Sequence, residues 1–152
     1  MQPVEALVDL FRQNGLKITP QRRTILDLLS RENSHPTADG IYQRVLSVMP
    51  DISRTTVYNT LRELVTLGEL AEVHAPNEVG IRYDTNSDVH HHLFCTRCSA
   101  LADIQVDFTG LTPSLQEASG YQITRMQVTF YGICPNCQSQ TGPQTEYESQ
   151  RG

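Results

Sequence analysis

The chain has 152 residues, of which 38% are hydrophobic and 19% charged, and it contains no tryptophan. That length suits one domain or two small ones, the composition is that of a folded chain, and no apolar run approaches the about 20 residues that span a bilayer. A net charge of −5 would by itself argue against a nucleic-acid partner. The total hides an asymmetry, because residues 1–82 carry nine Lys or Arg against ten Asp or Glu, whereas residues 83–152 carry three against seven.

The first half reads as four helices and a hairpin. Val4, Leu7, Val8 and Phe11 recur at helical spacing, and Asn14-Gly15 stops that helix. The stretch Met1–Gly15 lacks the apolar core of a signal peptide, so neither a secreted nor a membrane protein is expected, and a cytoplasmic one is. Thr19-Pro20 supplies an N-cap and an N1 proline for a second helix, with Ile25, Leu28 and Leu29 as its buried stripe. Thr37 caps a third helix, with Ile41, Val45, Leu46 and Met49 inward and Pro50 beyond its end. Ser53 caps a fourth that runs to Leu67-Gly68. On it Val57, Leu61, Leu64 and Val65 form an apolar face, and Arg54, Thr55, Tyr58, Asn59 and Arg62 fall on the other side.

That polar side holds guanidinium forks, hydroxyls and an amide, with no acid before Glu63. Arginine binds guanine edges bidentately and hydroxyls suit phosphates. With the break at Pro50-Asp51-Ile52, the third and fourth helices form a helix-turn-helix. Glu69 to Ala75 and Gly80 to Thr85 read as two strands around a Pro76-Asn77 turn, the wing of a winged helix. Lys17, Arg22 and Arg23 add candidate phosphate contacts. A solvated helix face is the competing reading, since many small helical domains share this pattern.

The four cysteines, Cys95, Cys98, Cys134 and Cys137, form two C-x-x-C pairs. Two such turns bring four thiolates to one centre, the arrangement of a structural Zn²⁺ site. Disulfides are disfavoured without a secretory signal, no thioredoxin-like β-α-β context is present, and an iron–sulfur cluster remains an alternative. Upstream lies His90-His91-His92. In an extended segment His90 and His92 share a face and His91 points away. Asp84 and Asp103 are carboxylates near it in sequence, and a surface histidine cluster is the competing reading. His35 stands far off, before the third helix, where a lone histidine is usually a loop residue.

Thr19–Arg22 (TPQR), His35–Asp39 (HPTAD), Ser53–Leu61 (SRTTVYNTL), His90–Cys98 (H-x-H-x-x-C-x-x-C) and Tyr131–Cys137 (YGICPNC), in this order over about residues 4–137, resemble the Fur superfamily of bacterial metalloregulators. The resemblance implies an α+β chain. A winged helix-turn-helix DNA-binding domain (1–82) is followed by a small α/β metal-binding dimerisation domain with the four-cysteine zinc site (83–137); beyond the resemblance, residues 138–152, rich in Gln, Ser, Thr, Gly and Glu, read by composition as a disordered tail. The resemblance implies a homodimer that binds a palindromic operator in double-stranded DNA when metallated, and represses transcription. It also implies a regulatory Fe²⁺ or Mn²⁺ site at His35, Asp84, His90, His92 and Asp103.

Aspartate at both carboxylate positions is similar to the peroxide-sensing PerR branch, in which Fe²⁺-catalysed oxidation falls on a ligand histidine; His35 and His90 occupy the matching positions. The alternative is a regulator of iron, manganese or nickel uptake without peroxide chemistry. A further site of many Fur proteins would fall on Val89 and Met126 here, neither of which suits a hard divalent ion. Zinc-sensing relatives often use a further cysteine, and none remains. A non-haem iron or hydrolytic enzyme is disfavoured, because five protein ligands leave little room for substrate and no general base is identifiable.

Overall fold

The computed structural model describes residues 1–32, 34–74, 80–86, 88–124 and 126–140. The chain forms two compact units, Met1–Val89 and His90–Gly152.

In the first unit, α1 (Val4–Gln13), α2 (Pro20–Ser30), α3 (Ala38–Leu46) and α4 (Arg54–Thr66) precede a hairpin of β1 (Ala71–His74) and β2 (Ile81–Asp84). The expected caps form. Thr19, Thr37 and Ser53 each accept from the amide three residues on, that of Arg22, Gly40 and Thr56, which satisfies donors the helix itself leaves open. Gly15 and Gly68 adopt positive φ, 71° and 78°, just past the ends of α1 and α4, as a helix-terminating glycine does.

One core joins these helices. Leu7, Phe11, Ile25, Leu29, Ile41, Val57, Leu61 and Leu64 are all fully buried. On α2 the third buried position is Leu26, with Leu28 only half-buried, because the helix packs against three neighbours, α1, α3 and α4. The third helix ends at Leu46, which is half-buried, so Met49, also half-buried, lies beyond α3 and not on its inward face. The hairpin is antiparallel with Ala71 opposite Asp84 and His74 opposite Ile81. Its proposed turn at Pro76-Asn77 lies outside the described residues. β2 is also stitched to the segment before α3, since the Tyr83 amide donates to Pro36 O at 2.9 Å and Thr37 bridges Arg82.

The second unit holds β3 (His91–Cys95), β4 (Leu101–Ile104), α5 (Leu111–Ser119), β5 (Thr129–Gly132) and α6 (Pro135–Ser139). Its sheet has the order β4-β3-β5, antiparallel on one side and parallel on the other. The sequence pattern predicts strands over Asp103–Phe108 and Tyr121–Tyr131. The observed strands are shorter and shifted, and Tyr121 is 76% exposed. Alternation there marks no buried sheet face, so it sets no strand length. Phe108 and Phe130 stack at 5.9 Å but are only half-buried. Of the expected tail 138–152, Gln138 and Ser139 end α6, and residues 141–152 lie outside the described part. Among the described residues no helix is long and apolar enough to cross a membrane.

Candidate metal centres and nucleic-acid interface

The sheet builds the cysteine cluster. Cys95 ends β3, and Cys134 follows β5, its parallel neighbour, so the two C-x-x-C turns emerge side by side. The four sulfurs lie within 4.8 Å of one another. Cys98 Sγ and Cys134 Sγ are 3.7 Å apart. That is far beyond a disulfide bond and close to the about 3.8 Å that separates sulfurs held 2.3 Å from a tetrahedral Zn²⁺. The first turn needs Ser99 at φ 59°, a conformation non-glycine residues seldom adopt. Arg97 ties the turns together by donating to Cys137 O at 2.9 Å.

Amide hydrogen bonds, from Cys134 first and then Cys98, pull the Cys95 thiol down to about 6. The Cys98 thiol and then burial push Cys137 up to about 12. Sulfurs this crowded cannot all be thiolates without a cation, and a divalent ion displaces the protons that separate them. The donor set, spacing and electrostatics fit Zn²⁺.

The histidine triplet divides as a strand should. His90 Nε2 and His92 Nε2 face each other at 3.2 Å. His91 turns to the other side, where its Nδ1 accepts from the Val128 amide at 3.3 Å and its ring meets Phe108 edge-on. Pairing of β3 with β4 places Asp103 opposite His92. Asp103 Oδ1 lies 3.5 Å from His90 Nε2 and 3.8 Å from His92 Nε2. Atoms that share an ion at about 2.1–2.2 Å stand roughly 3.0–3.6 Å apart; the two separations from His90 fall in that range and the His92–Asp103 distance lies just above it, a face of mixed N/O donors suited to Fe²⁺ or Mn²⁺.

Gln127, which sequence reasoning missed, lies 3.2 Å from His92 Nδ1. Its Nε2 faces that ring nitrogen and, as a donor to it, holds the orientation of the imidazole. Nothing local in the sequence marks this residue, because strand pairing alone brings it there.

In the first unit His35 and Asp84 form a buried pair, 6% and 3% exposed, with Nε2 and Oδ1 3.7 Å apart. The sequence separates them by 49 positions. The stitching of β2 to the segment before α3 brings them together, helped by Arg82, which donates to His35 O at 3.2 Å.

On α4, Arg54, Thr55, Tyr58 and Arg62 are exposed, and Asn59 is half-buried and accepts from Arg62 at 3.0 Å. Arg54 sits over the Tyr42 ring at 4.3 Å and pairs with Asp39. Lys17 is exposed. Arg23 pairs with Glu5. Arg22 is placed differently, since its side chain is only 18% exposed and it binds Glu63 at 2.6 Å.

Residues 13–131 match the ferric uptake regulator family. The peroxide-responsive repressor PerR of Staphylococcus aureus is 38% identical over 102 residues, 67% of this chain and 68% of that protein. The structure of PerR from Streptococcus pyogenes, solved as a basis for peroxide sensing and gene regulation, shares 33% identity. It matches with a TM-score of 0.53, covering 90% of this chain and 94% of that one. The ferric uptake regulator Fur of Helicobacter pylori matches the fold with a TM-score of 0.77 over 90% of this chain and 95% of its own, at 18% identity. The winged helix-turn-helix, the α/β unit with its four-cysteine cluster and these likenesses agree: the chain belongs to the ferric uptake regulator family, whose members are metal-dependent regulators that bind DNA as dimers.

Proposed function

We propose that this protein is a peroxide-sensing repressor, cytoplasmic and homodimeric, that binds a palindromic operator through α4 when its regulatory ion is in place. The observation that carries the reading is the convergence of His90, His92 and Asp103 on one point, in a chain similar to PerR proteins. Cys95, Cys98, Cys134 and Cys137 hold Zn²⁺ and fix the dimerisation unit. His90, His92 and Asp103 supply one part of the regulatory site, and His35 with Asp84 supply the rest.

Because these ligands come from both units, filling the site selects one arrangement of reader and dimeriser. The ion then favours the DNA-competent state by its differential affinity. Lys17, Arg54, Thr55, Tyr58, Asn59 and Arg62 meet the duplex. Fe²⁺ held by these residues would supply the redox chemistry that activates H₂O₂. Overall, one peroxide oxygen would enter a ring C–H bond of His35 or His90 and the other would leave as water, and the oxidised ring would no longer donate its lone pair, which ends repression. Mn²⁺ supports binding without that chemistry.

The test compares duplex binding by the Fe²⁺ and Mn²⁺ forms before and after micromolar H₂O₂, with mass spectrometry of the peptides carrying His35 and His90. Loss of binding is expected with iron only, with one added oxygen on one of those histidines. Unchanged binding in both forms would replace it with the uptake-regulator reading, in which metal availability alone is sensed.

A further inference from the structure

The TPQR segment at the start of α2 does more than cap a helix. Gln21 Nε2 donates to Asp51 O, in the turn before α4, at 3.3 Å, and Gln21 Oε1 accepts from Thr56 Oγ1, in the first turn of α4, at 3.4 Å. One residue on, Arg22 reaches Glu63, two turns further along the same helix. Its Nη2 donates to Glu63 Oε1 at 2.6 Å, its Nη1 donates to Lys17 O at 2.8 Å, and its guanidinium lies over the Phe11 ring at 5.9 Å. The pair is mostly shielded from water, 18% and 22% exposed. The second Glu63 oxygen is buried with no hydrogen-bond partner among the described residues. Two adjacent side chains thus grip α4 at two points on one line along its axis, and α4 carries the exposed row Arg54, Thr55, Tyr58 and Arg62.

We propose that Gln21 and Arg22 are positioning residues that set the axial and rotational seat of the reading helix, and that Arg22, though basic and near the duplex-facing side, is not a phosphate contact. Arg22 directs both of its terminal nitrogens inside the domain, Nη1 to Lys17 O and Nη2 to Glu63. Glu63 is the acid that holds it there, so an acid on the reading helix strengthens sequence readout. The inference rests on the DNA-reading assignment of α4. Base-edge hydrogen bonds need the donor placed within a few tenths of an ångström, while non-specific attraction depends on charge and tolerates a shifted helix.

The experiment uses full-length, Mn²⁺-loaded protein, a duplex enriched by the wild type from a randomised pool, and a scrambled duplex of equal length, over a range of salt. Arg22→Met, Glu63→Gln and the exchange variant Arg22→Glu with Glu63→Arg are compared. Both single variants are expected to bind the enriched duplex about tenfold more weakly, with scrambled-duplex binding within about twofold of wild type and an unchanged salt slope. The exchange variant regains part of the loss.

Three results would overturn the proposal. One is tighter binding by Glu63→Gln, which bare charge repulsion demands. Another is a salt slope for Arg22→Met smaller by about 0.9, the signature of one lost phosphate contact. The third is a parallel loss on both duplexes, the mark of a fold that has merely weakened. A wild type that enriches no duplex would remove the reading assignment itself, which is a different failure from any of these.

Discussion

Replacing Cys98 by serine removes one ligand of the cysteine cluster and almost nothing else. Its side chain is exposed, so the exchange opens no cavity and leaves the sheet contacts of β3 and β5 untouched. The consequence is large because the second unit has so little else. Phe94 is the one large apolar side chain buried there among the described residues, worth about 1.5–3 kcal/mol. Structural zinc in thiolate sites contributes on the order of 10–16 kcal/mol of apparent binding energy, all of it coupled to folding. Three thiolates and a serine hydroxyl retain only a fraction of that, and Phe94 cannot offset the difference.

The first unit should be indifferent, since its helices share a core of their own. Cys98→Ser protein is therefore expected to contain far less than equimolar zinc. It should lose amide protection in His91–Cys95 and Thr129–Gly132 while keeping it in Val57–Leu64. Zinc analysis with segment-resolved hydrogen exchange reads both at once. Equimolar zinc with undiminished protection in β3 and β5 would refute the reasoning.

Leu61→Ala empties a fully buried position under the reading helix and should cost about 2–5 kcal/mol, read as a lower urea midpoint for the first unit; a loss under about 1 kcal/mol would mean that the core closes over the gap. Burial raises the Glu32 carboxyl, but hydrogen bonds from Ser34 and Arg44 outweigh it and hold the pKa below the usual carboxylate value. A depressed folded pKa gives stability that is present above the unfolded pKa and lost as pH falls through the folded one. Wild type should therefore lose more stability than Glu32→Gln between pH 6 and pH 3.5, and identical losses in urea titrations would show that the pair contributes nothing.

Most of the helical half was legible because its signals are local. Thr19, Thr37 and Ser53 cap the helices they were expected to cap, and the His90–His92 alternation survives as a shared face. What stayed hidden depends on pairing across distance. Arg22 looks like a free cation until Glu63, 41 positions away, is brought beside it. Gln127 carries no mark of its service to His92. The apolar alternation from Tyr121 onward suggests a long strand, but among the described residues the strand is Thr129–Gly132, preceded by one further bond from the His92 amide to Val128 O.

The proposed switch requires that two donor groups, His35 with Asp84 and His90 with His92 and Asp103, serve a single ion. Titrating Mn²⁺ into zinc-replete wild type, His35→Ala and His92→Ala, with the free-ion electron paramagnetic resonance signal as readout, tests this directly. One tightly held Mn²⁺ per wild-type chain is expected, and none in either variant. Two independent ions in the wild type, or full affinity retained after loss of His35, would contradict it.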